Sequence, residues 1–305
     1  MATPSQARRA TPPPRPLEAP RLGPQAIRRE LGRAGIGARH ALSQNFLADQ
    51  EILATIVAEA HAAPRRRIVE VGPGLGVLTA ELLAVGAAVT AVELDRRLIA
   101  YLADRFRTEL RKDPGSIGSL RLIEGDILDT SLADVAVPPY EVVANLPYHV
   151  TSPVLHLFLG VAERPERMVL MVQLEVAERL AAPPGAMSYL SVFVQYHAAV
   201  RIVRRVPAAA FEPAPEVHSA IVVLEVQSRA LASPDEEDWL WRVVQAGFRE
   251  RRKMIHNVLP RQLPGLEPAR LADALGDLGI EPTRRPQTLS VEEWMRLAAR
   301  LAPPS

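Results

Sequence analysis

The 305-residue chain is predicted to fold as an α/β protein, a largely parallel sheet covered by helices on both faces, followed by a small all-α domain. Three observations predict this. Short apolar runs alternate with helix-period segments through the first two thirds of the chain, the pattern of strand–helix units that build a parallel sheet. A glycine-rich turn, "GPGLG", directly follows the first of those apolar runs. From about residue 231 the strand-like runs stop and only amphipathic segments follow.

The elements follow in order. "PQAIRRELGRAG" suggests a short helix, followed by the loop "IGARHALSQNFL" and a helix over 49–61. "RIVEV" is a strand leading into the glycine turn, and "VLTAELLAVG" is a helix closed by Gly86, since glycine accepts the left-handed conformation at a helix end. "AAVTAVELD" is a strand, "RRLIAYLADRF" a helix, and "LRLIEGDIL" a strand ending in an acid. "YEVVANLPY" is a fourth strand and "RMVLMVQLEVAERL" a fifth running into a helix, with later strands near 200–206 and 219–226 added to the same sheet. "SPDEEDWLWRVVQAGFRERRKMIHNVL" reads as an N-capped helix with acids in its first turn, then a second helix beyond a basic cluster. "EPARLADALGDLG" and "LSVEEWMRLAARL" are two more helices, each opened by a Pro or Ser signal. The expected organisation is a disordered Pro/Arg-rich tail at 1–22, an α/β domain at 23–228 and a helical domain at 229–305.

Composition narrows the function. Hydrophobic content of 48% with 23% charged residues is that of a soluble globular protein, and no apolar run reaches the roughly 18 residues of a membrane span. No charged-then-apolar leader opens the chain, and the absence of cysteine excludes disulfides, thiolate catalysis and cysteine zinc sites, which fits a cytoplasmic location. The net charge of +1 conceals local bias: residues 1–40 carry eight Arg against two Glu, and "FRERRK" packs four cations around one Glu. Such clusters suit either a phosphate backbone or a solvated face. No long one-sided apolar surface is visible, so a monomer is expected, and no metal site is assigned.

Ligands of open parallel sheets sit at the carboxyl ends of the strands, so those ends are read together. The first carries Gly72, Gly74 and Gly76, which let the backbone approach a ligand closely. Three residues after Gly74 stands Val77, where a dinucleotide fingerprint needs glycine, which argues against a pyrophosphate site. The second strand end carries Glu93, able to accept from both hydroxyls of a ribose. The third carries Asp126, placed to accept from an adenine amino group, with Ile127 packing on the ring. Glycine turn, Glu and Asp on three successive strand ends resemble the S-adenosyl-L-methionine-dependent methyltransferases. Acids and the scarcity of lysine suit a cationic, phosphate-free cofactor.

The fourth strand ends in Asn145, Leu146, Pro147 and Tyr148. This "NLPY" resembles the (Asn/Asp)-Pro-Pro-Tyr motif of enzymes that methylate amino groups of nucleic acids. An exocyclic adenine nitrogen is a poor nucleophile because its lone pair is delocalised into the ring. Two acceptors aimed at its N–H groups draw it toward tetrahedral geometry. The Asn145 side-chain oxygen and the Leu146 carbonyl can supply them, with Pro147 fixing the turn and Tyr148 stacking on the base. Phe211, in "FEPAPEVHSA", is either a core aromatic or the opposite face of a base sandwich. Asn45 and Leu47, in "SQNFL", can fold back over the cofactor.

Taken together, "SQNFLADQ", "EVGPGLGVLT", "VELD", "EGDIL", "NLPYHVTSPVL", "FEPAPEVHSA" and "FRERRKMIHNVL" resemble the ribosomal RNA adenine N6,N6-dimethyltransferases over residues 24 to 302. The resemblance implies a Rossmann-like class I methyltransferase sheet, with S-adenosyl-L-methionine bound by Asn45, Leu47, Gly72, Glu93, Asp126 and Asn145. It implies small-subunit rRNA, in the immature small ribosomal subunit, as partner and substrate, with two adjacent adenosines near the 3′ end each methylated twice. Arg249, Arg251, Arg252 and Lys253 are then expected to hold RNA. His40 and Ser43 depart from the small-subunit branch. "SQNF" is reminiscent of the sister branch that methylates large-subunit RNA, which is the alternative, together with a non-catalytic assembly factor on the same scaffold.

Overall fold

A computed structural model describes residues 23–33, 35, 45–227 and 233–302. The tail at 1–22, His40, Ser43 and the expected domain boundary at 228/229 lie outside the described residues.

The chain opens with α1 (Pro24–Arg33), a two-residue strand β1 (Phe46–Leu47) and α2 (Gln50–Glu59), whose N-cap Asp49 accepts from the amides of Glu51 and Ile52. Then follow β2 (Arg67–Val71), α3 (Val77–Ala84), β3 (Ala88–Glu93), α4 (Arg96–Arg105), β4 (Leu120–Glu124), the single-turn α5 (Leu132–Val135) and β5 (Glu141–Asn145). A 3₁₀ turn at Tyr148–Val150 runs into α6 (Thr151–Leu159), β6 (Arg167–Gln173), α7 (Leu174–Leu180), α8 (Tyr189–His197) and β7 (Ala198–Val206). The two-residue β8 (Phe211–Glu212) and β9 (Ser219–Val226) complete the strands. The chain ends with α9 (Pro234–Arg249), α10 (Ile255–Gln262), α11 (Pro268–Asp277) and α12 (Val291–Leu301).

Seven strands form one sheet in the order β4-β3-β2-β5-β6-β9-β7. The neighbours from β4 to β6 pair in parallel, as strand–helix alternation requires. One strand departs from the expected parallel run: β9 is antiparallel to both β6 and β7, so β7 at the edge points the same way as β6. The reason is the connection. Two helices carry the chain from β6 out to the sheet edge, where β7 lies, and the short return through residues 207–218 brings β9 back between β7 and β6. A strand that returns without a crossover runs antiparallel.

Alternate residues of each strand face opposite helix layers. Val142 and Ala144 pack toward α6 with Val154, Leu155 and Phe158, whereas Val143 packs on the other face with Ile56 of α2, Leu82 of α3 and Phe106 beyond α4. Each of the buried Val, Leu, Ile and Phe side chains contributes about 1.5–3 kcal/mol. The helices α6 and α8 have no counterpart in the sequence reading. The α8 segment, "YLSVFVQYH", is rich in strand-favouring Val, Phe and Tyr, and its helix is fixed by a Ser188/Ser191 capping box and by burial of both faces.

The four C-terminal helices share one apolar cluster around the wholly buried Trp294. A side chain at Gly247 would come within 2.5 Å of that indole, so only glycine lets α9 and α12 approach this closely. α9 is N-capped as expected, and its cap Ser233 forms a capping box with Glu236. The cluster does not stop at the helical segment, since Met187, Val192 and Tyr196 belong to it too. Trp241 of α9 packs against both this cluster and that of the sheet.

Candidate active site

A cleft of about 210 Å³ opens at the carboxyl ends of β2, β3, β4 and β5. Its lining includes Asn45, Leu47, Gly72, Gly74, Glu93, Asp126, Ile127, Asn145, Leu146, Tyr148 and Phe211, so the structure brings the eleven residues expected at cofactor and base together in one place. The basic residues Arg249, Arg251, Arg252 and Lys253 do not line it. Arg249 ends α9 and donates to Gln262 at 3.2 Å, and Arg251, Arg252 and Lys253 stand on the turn between α9 and α10, all four exposed to solvent.

The glycine turn shows three different needs for glycine. Gly72, Gly74 and Gly76 all have positive φ, at 70°, 58° and 69°. At Gly76 a Cβ would stand 2.6 Å from Phe106 and 2.7 Å from Leu102, so this glycine lets α3 and α4 pack. At Gly74 a Cβ would press at 3.2 Å on the Phe46 ring of the strap above the cleft. At Gly72 it would meet no protein atom within 4 Å. That glycine leaves open space in the cleft for a ligand.

Glu93 ties two strand ends together. One carboxylate oxygen accepts from the Gly74 amide at 3.1 Å and the other from the Asp95 amide at 2.9 Å. Each oxygen keeps a further lone pair for a ligand hydroxyl. Burial, the largest cause, raises the Glu93 pKa. Asp95 is held below the usual carboxylate range by its bond to the Arg97 guanidinium. Asp126 accepts from the Leu128 amide at 2.9 Å, which orients the carboxylate at the end of β4. Glu70, on the cleft floor, is 1% exposed, and burial pushes its pKa up to about 7 despite the hydrogen bond from Thr79 at 2.7 Å. The sequence reading passed over Glu70, although an acid inside the apolar run "RIVEV" was the available signal. It likewise passed over Leu94 and His149, which line the cleft, and Ser219, whose hydroxyl meets that of Tyr148.

The fourth strand end is held from two directions. The Asn145 side-chain nitrogen donates to the Asn45 carbonyl at 3.1 Å, which directs the amide and leaves its oxygen as the free acceptor. The Leu146 amide donates to the Met171 carbonyl at 3.2 Å. The Tyr148 hydroxyl lies 3.1 Å from that of Ser219. Over the cleft, β1 pairs antiparallel with β8, Leu47 opposite Phe211 and Phe46 opposite Glu212. Arg28 of α1 clamps Glu212 through two bonds of 2.9 and 3.0 Å. Phe211 proves both a core residue and a wall of the cleft: it is 3% exposed, so its ring is no open platform. Asn45, beside this strap, is half-buried.

Among the described residues no three His, Cys, Asp or Glu side chains are grouped to hold a metal ion. No described helix is long and apolar enough to cross a membrane.

Residues 36–302 match the family model described as ribosomal RNA adenine dimethylase. The chain belongs to that family. Among its relatives is the ribosomal RNA small subunit methyltransferase A of Dehalococcoides mccartyi, 41% identical over 262 residues, which span 85% of this chain and 87% of the relative. The protein of the same name from Moorella thermoacetica is 39% identical over 88% of this chain and 93% of its own length. Among solved structures, a dimethyladenosine transferase from Plasmodium falciparum superposes with a TM-score of 0.68 at 27% identity, covering 83% of this chain and 95% of that one. The 23S rRNA methyltransferase ErmE superposes with a TM-score of 0.66, also at 27% identity, over 84% of this chain and 99% of that one.

The dimethylases take their methyl groups from S-adenosyl-L-methionine, and the cleft fits that molecule on its own terms. The open space at Gly72 accepts a chain lying against the backbone. Glu70, Glu93, Asp95 and Asp126 surround the cleft with carboxyl groups, which favour a sulfonium cation.

Proposed function

We propose that the protein dimethylates two adjacent adenosines at N6 in the 3′-terminal loop of small-subunit (16S) rRNA, using S-adenosyl-L-methionine, and acts in small-subunit biogenesis. The observation that carries this reading is the orientation of Asn145, whose amide nitrogen is spent on the Asn45 carbonyl while its oxygen is left to accept. The 41% identity to small-subunit enzymes, against 27% to the large-subunit enzyme ErmE, supports the choice of subunit.

When bound, S-adenosyl-L-methionine supplies an electrophilic methyl group on its sulfonium. Gly72 and Gly74 would let the backbone approach it, Glu93 would accept from its ribose, Asp126 and Ile127 would receive its adenine, and Asn45 and Leu47 would cover it. At the other side of the cleft the target adenine is flipped out of the RNA and stacks on Tyr148, worth about 1–3 kcal/mol, with Phe211 forming the wall. The Asn145 oxygen and Leu146 carbonyl accept from N6, freeing its lone pair toward the methyl group. No strong base is needed before attack, because the nitrogen becomes acidic on methylation and then releases its proton to water. Catalysis is chiefly alignment.

The helical segment from residue 229 is read as the substrate domain, with Arg249, Arg251, Arg252 and Lys253 on phosphates. The protein is read as a cytoplasmic monomer. The test is labelled methyl transfer to unmethylated small subunits and, in parallel, to protein-free large-subunit RNA, followed by digestion to nucleosides. N6,N6-dimethyladenosine from the small subunit alone is the expected result. Label only in large-subunit RNA would move the protein to the sister branch, and binding without label would make it an assembly factor.

A further inference from the structure

Tyr148 carries more than a ring. Stacking on a base needs only a π face, which phenylalanine has, yet here the phenol oxygen lies 3.1 Å from the Ser219 hydroxyl. Ser219 is fully buried, at 0% exposure. It is the first residue of β9 and is paired on both sides, with Gln173 of β6 and with Val206 of β7. A residue laced between two strands has no freedom to follow a moving side chain. The other end of the tyrosine is fixed as well, since the preceding Pro147 locks its own φ, at −56°, and the 3₁₀ turn begins at Tyr148 itself. The ring is therefore tethered at both ends of its long axis, one end to the turn and the other to the sheet.

We propose that Ser219 is a positioning residue for Tyr148: its hydroxyl holds the phenol so that the ring presents one fixed face to the cleft before the adenine arrives. The inference rests on the reading of this cleft as an RNA adenine site. A pre-set ring spares the ordering that stacking would otherwise require, and it makes the plane of the base a property of the sheet. N6 is then delivered at the same angle to Asn145 in the first and the second methyl transfer. Ser219 touches neither substrate nor cofactor, so its effect runs wholly through Tyr148.

A double-mutant cycle tests this, using the full chain with Ser219→Ala, Tyr148→Phe and the two combined. Three quantities are read: the single-turnover rate of methyl transfer to unmethylated small subunits, the affinity for S-adenosyl-L-methionine by calorimetry, and the fluorescence of RNA carrying 2-aminopurine at the target position. One hydrogen bond of this kind corresponds to roughly a two- to tenfold loss of rate. Each single variant is expected to lose about that much and to quench 2-aminopurine less. The double variant should lose no more than the worse single, and cofactor affinity should stay at the wild-type value. Losses that multiply, or a Ser219→Ala protein with wild-type rate and quenching, overturn the inference. Should Ser219→Ala fail to fold, Tyr148→Phe decides alone, since unchanged rate and quenching there leave the hydroxyl without a role. Wild-type protein that labels neither subunit overturns the reading of the cleft itself, and the inference falls with it.

Discussion

The turn at residues 145–148 and the turn at residues 249–254 are built on opposite principles. In the first, every polar group of interest is tied to the frame: Asn145 to the Asn45 carbonyl, the Leu146 amide to Met171 and the Tyr148 hydroxyl to Ser219. In the second, Arg251, Arg252 and Lys253 project from the surface, on a turn closed by the Lys253 amide donating to the Glu250 carbonyl at 2.8 Å. Chemistry that depends on aiming a lone pair needs groups that cannot wander. Attraction between cations and phosphates falls off slowly with distance and tolerates loose side chains. On the proposed reading, one turn serves geometry and the other charge.

The largest expected effect comes from removing an aimed group. Asn145→Ala should lower the single-turnover rate by about 10²–10³-fold, in line with loss of one preorganised hydrogen-bonding group in other enzymes. The loss should be the same at low and raised salt, with an unchanged melting temperature. A defect that grows with salt would place Asn145 in RNA binding and erase the contrast.

Glu70 comes next, because it lines the same cleft and titrates. Its carboxyl is raised by burial to about 7. The native protein therefore binds more protons than the unfolded chain between about pH 4.5 and 7, and the stability that protonated Glu70 provides is lost as pH rises through that window. Glu70→Gln should escape the loss. Between pH 4.5 and 8 the variant should gain on the wild type by something on the order of 3 kcal/mol in denaturant melts. Parallel pH curves for the two proteins would mean that Glu70 is ionised at no cost.

The smallest effect, and the most salt-sensitive, belongs to the loose turn. Replacing Arg251, Arg252 and Lys253 by Gln should weaken RNA binding and flatten the log–log salt dependence by roughly 0.7–0.9 for each phosphate the turn no longer neutralises. The single-turnover rate at saturating RNA should not change. An unaltered slope would reduce the cluster to a solvated face.

What was legible in the sequence was whatever is decided locally. The strands that end in Gly72, Glu93, Asp126 and Asn145 announce themselves through short apolar runs and turn residues, and their common location follows from the parallel sheet. What was illegible is decided by partners far along the chain. Leu47 pairs with Phe211, and Tyr148 meets Ser219, across separations that no local pattern encodes. The direction of β9 depends on the length of its connection, not on its own residues. Helix α8 was missed because its Val, Phe and Tyr favour a strand, and packing against two clusters outweighs that preference.

Helix α8 has a consequence for what the protein can accept. Phe193 and Val194 belong to the sheet's core, while Val192 and Tyr196 belong to the core of the helical segment, and Trp241 leans on both. A packed seam of this kind works like the bar of a caliper. On the proposed reading it would set the gap between a jaw for the RNA backbone and a jaw for the flipped base. An RNA with the right adenosines at the wrong spacing from its phosphates would close on one jaw and miss the other, so selection would be by length as much as by sequence.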